Sequence, residues 1–340
     1  MSQFERALKS NPLLVLIVGC GNIAGRFDEP RSTHELPRTH AGAYTRDGRF
    51  SLSACVDPDD GRRAEFMTAW GVPVGFHLLE EAMSSGHHFD VISICSPTTC
   101  HSHDLEIAVR LKPKLIFCEK PLTASLAESE RLVEVCRESN ILLAVNYSRR
   151  FDPDVWKLQV DMQNGLWGQL RSIVGCYNKG ILNNGSHLLD LINLLVGPME
   201  IVKVGKPIYD FSSSDPTLPV WLESANALPI HLVCGHARDY AIFELQLVFS
   251  QGALTMEEGG MFWRERRVVE SATFRGYRVL DDGVRQAGQY PRSMLQAVGN
   301  IYQAIIEGKP LASTGESALI AQGLCERIKR LACPEEGGPE

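Results

Sequence analysis

Apolar residues fall into two textures along this chain. In the first half, short apolar runs at 13–18, 51–56, 91–95, 115–118 and 141–145 are separated by stretches with helical spacing, clearest at 102–111 and 126–138. Runs this short and this apolar suit strands buried on both faces, and their alternation with helices predicts βαβ units and a parallel sheet. On such a sheet ligands bind beyond the carboxyl ends of the strands, so the residues just after each run are the first candidates for chemistry. After Phe151 the texture changes. A helix is predicted over 154–164, a strand over 170–177, and a helix over 186–196 that is stopped by Gly197-Pro198. From 201 to about 280 come several strands with turns, including 241–249 and 253–256, and helices over 293–307 and 317–331 close the chain. That order predicts an α+β second domain with an open, mostly antiparallel sheet.

The first run ends in Gly19-Cys20-Gly21-Asn22-Ile23-Ala24-Gly25. A strand that stops in such a turn meets the needs of a dinucleotide pyrophosphate. Gly19 permits the tight turn, Gly21 lets the backbone approach the phosphates, and Ala24 is the small residue where helix packs on strand. The N-terminus of the helix that follows would offer N–H groups to the anion. An ordinary glycine turn explains the pattern equally well until the second run is considered. That run ends in Asp57, whose carboxylate can accept from adenosine ribose hydroxyls and would repel a 2′-phosphate. This favours NAD over NADP, with Arg62 and Arg63 nearby as the side chains able to meet a 2′-phosphate. The distance from turn to acid exceeds the roughly 20 residues of this fingerprint. The excess lies at 27–39, which reads as an inserted loop before His40-Ala41-Gly42-Ala43-Tyr44.

Composition narrows the class. The chain has 340 residues, of which 44% are hydrophobic, enough for two ordinary domains. A net charge of −7 argues against a nucleic-acid partner. No run is apolar and long enough for a membrane helix, and the charged first dozen residues do not read as a signal peptide, so a cytoplasmic location is expected. Ten cysteines carry no C-x-x-C pair and no repeating spacing, which predicts reduced core thiols and no metal site. The tail 334–340 has nothing to bury and is expected to be disordered.

Glu119-Lys120-Pro121 follows the 115–118 run, so Lys120 should project from the carboxyl edge, its conformation biased toward extended by the proline. A solvated loop lysine fits the tripeptide as well. Four segments taken together are more specific: Gly19 to Ala24, then Ser96-Pro97-Thr98-Thr99-Cys100-His101, then Cys118-Glu119-Lys120-Pro121-Leu122, then Asn146-Tyr147-Ser148-Arg149-Arg150-Phe151. In this order they resemble the Gfo/Idh/MocA family, named for glucose-fructose oxidoreductase and inositol dehydrogenase. The likeness extends to the 185–197 helix and weakens beyond.

The resemblance implies an N-terminal Rossmann doubly wound parallel sheet over 1–147 and a substrate-binding and oligomerisation domain over 148–333. It also implies a nicotinamide cofactor, a sugar, sugar-derivative or cyclitol substrate, and assembly as a homodimer or homotetramer. Carried over residue by residue, it places the catalytic lysine on Lys120 and the catalytic histidine on His187. The cofactor side falls to Gly19, Gly21, Asn22, Ile23, Asp57, Ser96, Pro97, His101, Glu119 and Arg150, and the substrate side to Asn183, Asp190, Arg149 and Tyr147. Arg149 and Arg150 fit salt bridges equally well. His187 and Asp190 lie three apart on one helical face, where a carboxylate can orient an imidazole. Many family members carry an aspartate four residues before the histidine; here that position is Asn183, which cannot titrate. In the oxidising direction His187 would take the hydroxyl proton while Lys120 stabilises the alkoxide. Two other functions share the fold: a regulator that binds NAD without turnover, and an NAD-assisted glycoside hydrolase. Retention of both Lys120 and His187 speaks against the regulator.

Overall fold

The computed structural model describes residues 11–29 and 35–333. The expected disordered tail, the first ten residues and part of the inserted loop lie outside them. The described chain forms two compact units, one of residues up to Ser148 joined by Met294–Glu316, the other of Arg149–Ser293 with the segment from Ser317 onward.

The first unit is built on a six-stranded sheet in the order β3-β2-β1-β4-β5-β6. Its strands are β1 (Leu13–Val18), β2 (Phe50–Val56), β3 (Val74–Phe76), β4 (Val91–Ile94), β5 (Leu115–Cys118) and β6 (Leu142–Val145). Every pairing is parallel. This is the strand order of dinucleotide-binding sheets, with its reversal between β1 and β4. β4 and β5 are buried at every position, as a sheet covered on both faces requires. The helices of its first segment are α1 (His40–Asp47), α2 (Asp60–Trp70), α3 (Leu79–Ser84), α4 (Thr98–Arg110) and α5 (Leu126–Glu138).

The register aligns the strand ends. Val18 pairs with both Val56 and Ile94, Ile94 with Cys118, and Cys118 with Val145. The ladder then runs one residue further: Gly19 N donates to Val56 O, Cys95 N to Val18 O, Glu119 N to Ile94 O, and Asn146 N to Cys118 O. Gly19, Asp57, Cys95, Glu119 and Asn146 therefore form one rank along the carboxyl edge.

The inserted loop interrupts the first helix of this unit. After the glycine turn the chain passes through turns into a short 3-10 helix over Arg26–Asp28 and not the regular helix expected there. Ile23 O and Ala24 O instead accept from His40 N (3.1 Å) and Ala41 N (2.9 Å), so α1 resumes the interrupted helix by satisfying carbonyls that would otherwise be unpaired. Asp28 closes the excursion by accepting from Arg38 N, Thr39 N and Thr39 Oγ1, and Thr39 caps α1.

The domain boundary differs from the single break expected near residue 147. The helix α8 (Ser293–Glu307), assigned by pattern to the second domain, begins a segment that packs with the first unit. Tyr302 meets Phe50 edge-on and carries the Arg49 guanidinium 4.0 Å above its ring, and Thr314 bridges Ala144 beside β6. These partners are more than 150 residues away in sequence, beyond the reach of local periodicity.

The second unit holds a nine-stranded sheet ordered β14-β13-β12-β11-β7-β10-β9-β8, with β15 on β13. It runs from β7 (Leu170–Tyr177) through β8 (Met199–Val204), β9 (Val220–Ser224), β10 (Pro229–Cys234), β11 (Phe243–Phe249), β12 (Gly252–Glu257), β13 (Phe262–Glu270) and β14 (Arg278–Leu280) to β15 (Val284–Ala287). β7 and β10 pair parallel, and the other pairs are antiparallel. One face is covered by helices, among them α7 (Ser186–Val196), with Leu188, Leu189 and Ile192 buried among Ile173, Ile230, Leu232 and Leu245. Gly175 makes that approach possible, because a Cβ there would lie 2.8 Å from Leu232 and 3.1 Å from Leu188. The helices α6 (Pro153–Gln163) and α9 (Gly315–Ala332) complete the described elements. Among the described residues no helix is long and apolar enough to cross a membrane.

Candidate functional site

At the glycine turn, Gly19 has φ +86° and a Cβ there would lie 2.6 Å from Ser96 N, so only glycine fits. A Cβ on Gly21 would meet nothing within 4 Å. The space over Gly21 is open, as a phosphate cradle demands. Asp57 follows at the end of β2. Its Oδ2 accepts from Cys20 N (2.9 Å) and its Oδ1 from Asp59 N (2.9 Å), which ties the acid to the turn. Arg62 lies 3.5 Å from Asp57 Oδ2, and Arg63 is held by Asp60 and by Asp57 O. Both arginines thus answer local carboxylates beside the position of the ribose. The chemistry of this donor set fits a dinucleotide: open glycine backbone for the pyrophosphate, a carboxylate one strand over for the ribose.

Next along the edge is a buried network that the motifs alone did not reveal. His40 Nε2 lies 3.0 Å from Glu119 Oε1, and Asn146 Nδ2 donates to the same oxygen at 2.7 Å. On the other side of the ring, His40 Nδ1 lies 3.3 Å from Ser93 Oγ, which in turn is 2.8 Å from Tyr44 OH. Burial alone would raise the Glu119 carboxyl. The hydrogen bonds from His40 and Asn146 and the nearby Lys120 ammonium outweigh it and hold the group below its ordinary value. Lys120 is partly exposed at the edge, and its peptide bond to Pro121 is cis.

His101 joins two loops at the carboxyl edge. Its ring is buried, with Nε2 2.9 Å from Ser96 O and Nδ1 2.9 Å from Pro121 O, so it staples the loops after β4 and β5. Ser96 Oγ donates to Asp104 at 2.5 Å, beside Pro97 at the start of α4. Asn22 and Ile23 lie in the glycine turn itself, and Tyr147 is buried just beyond β6.

In the second unit, His187 is the second residue of α7 and follows a π-turn over Ile181–Gly185. Such turns recur at functional sites because they displace the residues that follow. Asp215 fixes this one by accepting from Leu182 N (2.9 Å) and Asn183 N (2.8 Å), and Asn183 Nδ2 donates to Lys179 O. The His187 ring meets Phe243 edge-on at 6.3 Å. On Phe243 also lies the Arg149 guanidinium, 3.7 Å from the centroid, which donates to Gly259 O and has Tyr290 at 4.9 Å. Burial lowers the Arg149 pKa below its usual range.

Asp190, which the sequence pairs with His187, is held by Arg150, whose Nε donates to both carboxylate oxygens at 2.8 and 2.9 Å. Both residues are buried. Burial pushes the Asp190 carboxyl up and Arg150 pulls it back. Arg150 thus forms a salt bridge, one of the alternatives the sequence left open for it, and Arg149 is buried as well. Sequence spacing could not show this, because α7 turns Asp190 toward a partner 40 residues away.

These features define a dinucleotide-binding edge joined to an α+β unit. Residues 13–147 match the family described as "Oxidoreductase family, NAD-binding Rossmann fold". Over this stretch the chain is similar to the Gfo/Idh/MocA oxidoreductases. It is 32% identical over 118 residues to myo-inositol 2-dehydrogenase of Thermotoga maritima, a match that spans 35% of either chain, so the chain aligns with about a third of that relative. It is 24% identical over 320 residues to inositol 2-dehydrogenase of Rhizobium meliloti, across 87% of this chain and 93% of the other. Among solved structures, a 3-ketoreductase from Actinomadura kijaniata in complex with NADP and TDP-benzene superposes with a TM-score of 0.74 at 17% identity, covering 94% of this chain and 98% of that one. The last likeness shows the fold.

Proposed function

We propose that the chain is an NAD-dependent oxidoreductase that moves a hydride between nicotinamide and a carbinol or keto carbon of a sugar, sugar derivative or cyclitol. The observation that carries this reading is the single rank of Gly19, Asp57 and Glu119 on a dinucleotide-type sheet, with Lys120 next in the chain. The names of the two inositol dehydrogenase relatives support the polyol class.

Gly19, Gly21, Asn22 and Ile23 would hold the pyrophosphate, Asp57 the adenosine ribose, and the edge formed by Ser96, Pro97 and Glu119 the nicotinamide half. His101 would keep that edge in shape. The bound cofactor supplies the hydride acceptor or donor. Lys120 is the candidate to stabilise a developing alkoxide, and His187 the candidate to take or return the hydroxyl proton. Asn183 would orient substrate without titrating. Asp57 favours NAD, since a carboxylate repels a 2′-phosphate. Side chains of the uncovered sheet face, such as Trp221 and Val233, support assembly as a homodimer or homotetramer.

The test is reduction of NAD, followed by absorbance, across a panel of cyclitols, free sugars and nucleotide sugars. Accumulation of NADH with at least one polyol is expected. Release of an aglycone without net NADH would point to hydrolysis, and binding without turnover on any panel member would point to a regulator.

A further inference from the structure

We propose that His40 is a positioning residue of the dinucleotide site, acting through Glu119 so that the second carboxylate oxygen of Glu119 is presented to a donor on the nicotinamide half of the ligand. The inference rests on the reading of the first unit as a dinucleotide site and extends it to a residue outside every motif described above.

Three observations carry it. The first is where His40 is tied. Its backbone N–H donates to Ile23 O in the glycine turn, and its ring reaches Glu119 after β5, so one residue joins the turn that receives the pyrophosphate to the loop that carries Lys120. Asp28 and Thr39 anchor it just before α1 begins.

The second is the direction of the network. Tyr44, Ser93 and His40 are fully buried, and each must find a partner. The chain closes without a loose end in one sense: Tyr44 O–H to Ser93, Ser93 O–H to His40 Nδ1, and His40 Nε2–H to Glu119 Oε1. The ring is fixed against Phe117, with centroids 4.6 Å apart. All of this order is delivered to one oxygen.

The third is what remains. Oε1 of Glu119 is shared by His40 and Asn146, while Oε2 has no hydrogen-bond partner among the described residues and is not sealed from solvent. A ligand that spans the strand-order reversal from Asp57 brings its far half over the ends of β4 and β5, where Glu119 stands. An acceptor held on one side and open on the other suits a ribose hydroxyl or a carboxamide N–H.

The experiment compares two ligands by calorimetry or fluorescence. NADH has both halves, whereas ADP-ribose has the adenosine and pyrophosphate but lacks the nicotinamide. His40→Leu should weaken NADH roughly tenfold, in keeping with one misplaced charge-assisted hydrogen bond, and leave ADP-ribose within about twofold. His40→Gln, which can direct an amide donor at Glu119, should restore most of the loss. If His40→Leu does not fold, Glu119→Gln serves. Two donors hold Oε1, so the new amide nitrogen must lie where Oε2 was, an acceptor becomes a donor, and NADH alone should weaken. Unchanged NADH affinity in these variants overturns the proposal while leaving the dinucleotide reading intact. Equal weakening of both ligands overturns it in favour of a purely structural histidine. If the unsubstituted protein binds neither ligand, the reading of the site fails and the proposal with it.

Discussion

Glu119 in the first unit and Asp152 in the second are both enclosed carboxylates, yet they are held in opposite ways. Glu119 receives two side-chain donors on one oxygen and lies below its ordinary pKa. Asp152 caps α6 through the Asp154 N–H, and its Oδ2 has no hydrogen-bond partner. Burial pushes Asp152 up to about 7, helped by the Asp154 charge and opposed by that N–H bond and by Arg149. The difference separates two uses of a buried acid. One is stabilised as an anion at the carboxyl edge of the sheet; the other is tolerated in the interior, at a cost to the fold.

The largest expected effect is on turnover. Lys120→Ala and His187→Ala, one from each unit, should each lower kcat by about 10²–10⁴ while NAD still binds, the range for loss of a positioned proton-transfer or charge-stabilising group. Near-normal kcat in both would remove these roles. Next is Asp190→Ala, which leaves Arg150 buried without its carboxylate and should destabilise the protein by about 3–5 kcal/mol in urea unfolding. The exposed pair Lys157–Asp161 offers the contrast, since breaking it should cost under about 1 kcal/mol.

Asp152→Asn sharpens the comparison through pH. An acid whose folded pKa is raised holds its proton more tightly folded than unfolded, so its stabilising effect is full below the ordinary aspartate range and is lost as pH rises from about 4 to about 7. Asparagine keeps the cap and carries no charge. The variant should gain on the order of 2 kcal/mol at pH 8 and almost nothing near pH 4. An equal change at both pH values would mean that Asp152 is not raised. The smallest effect is on cofactor choice: Asp57→Ala should weaken NAD about tenfold and narrow its advantage over NADP. An unchanged preference would assign discrimination to other residues.

Legibility also differed between the units. β5, α5, β7 and α7 lie where the apolar pattern placed them, because each is a long or fully buried run. β3 was missed, since three residues around Gly75 carry no period. The parallel β7–β10 pair and the return of Met294–Glu316 to the first unit depend on tertiary partners that a local pattern does not encode. The glycine turn and Asp57 were readable because their chemistry is written in adjacent residues. The His40 network was not, as its hydrogen-bonded pairs lie 27 to 79 residues apart, and the signal available was only a histidine directly after the inserted loop. Asp190 shows the converse: the helical face was readable, but its ion pair with Arg150, 40 residues away, was not.

The central claim is that the turn after β1 receives a pyridine dinucleotide. Calorimetric titration of NADH into the protein and into Gly21→Ala tests it most directly, because a Cβ at residue 21 meets open space in the protein and so disturbs only what comes to lie over it. The account predicts saturable binding that weakens at least about tenfold in Gly21→Ala with an unchanged unfolding midpoint. No heat with the unsubstituted protein, or equal affinity in the two, would contradict it.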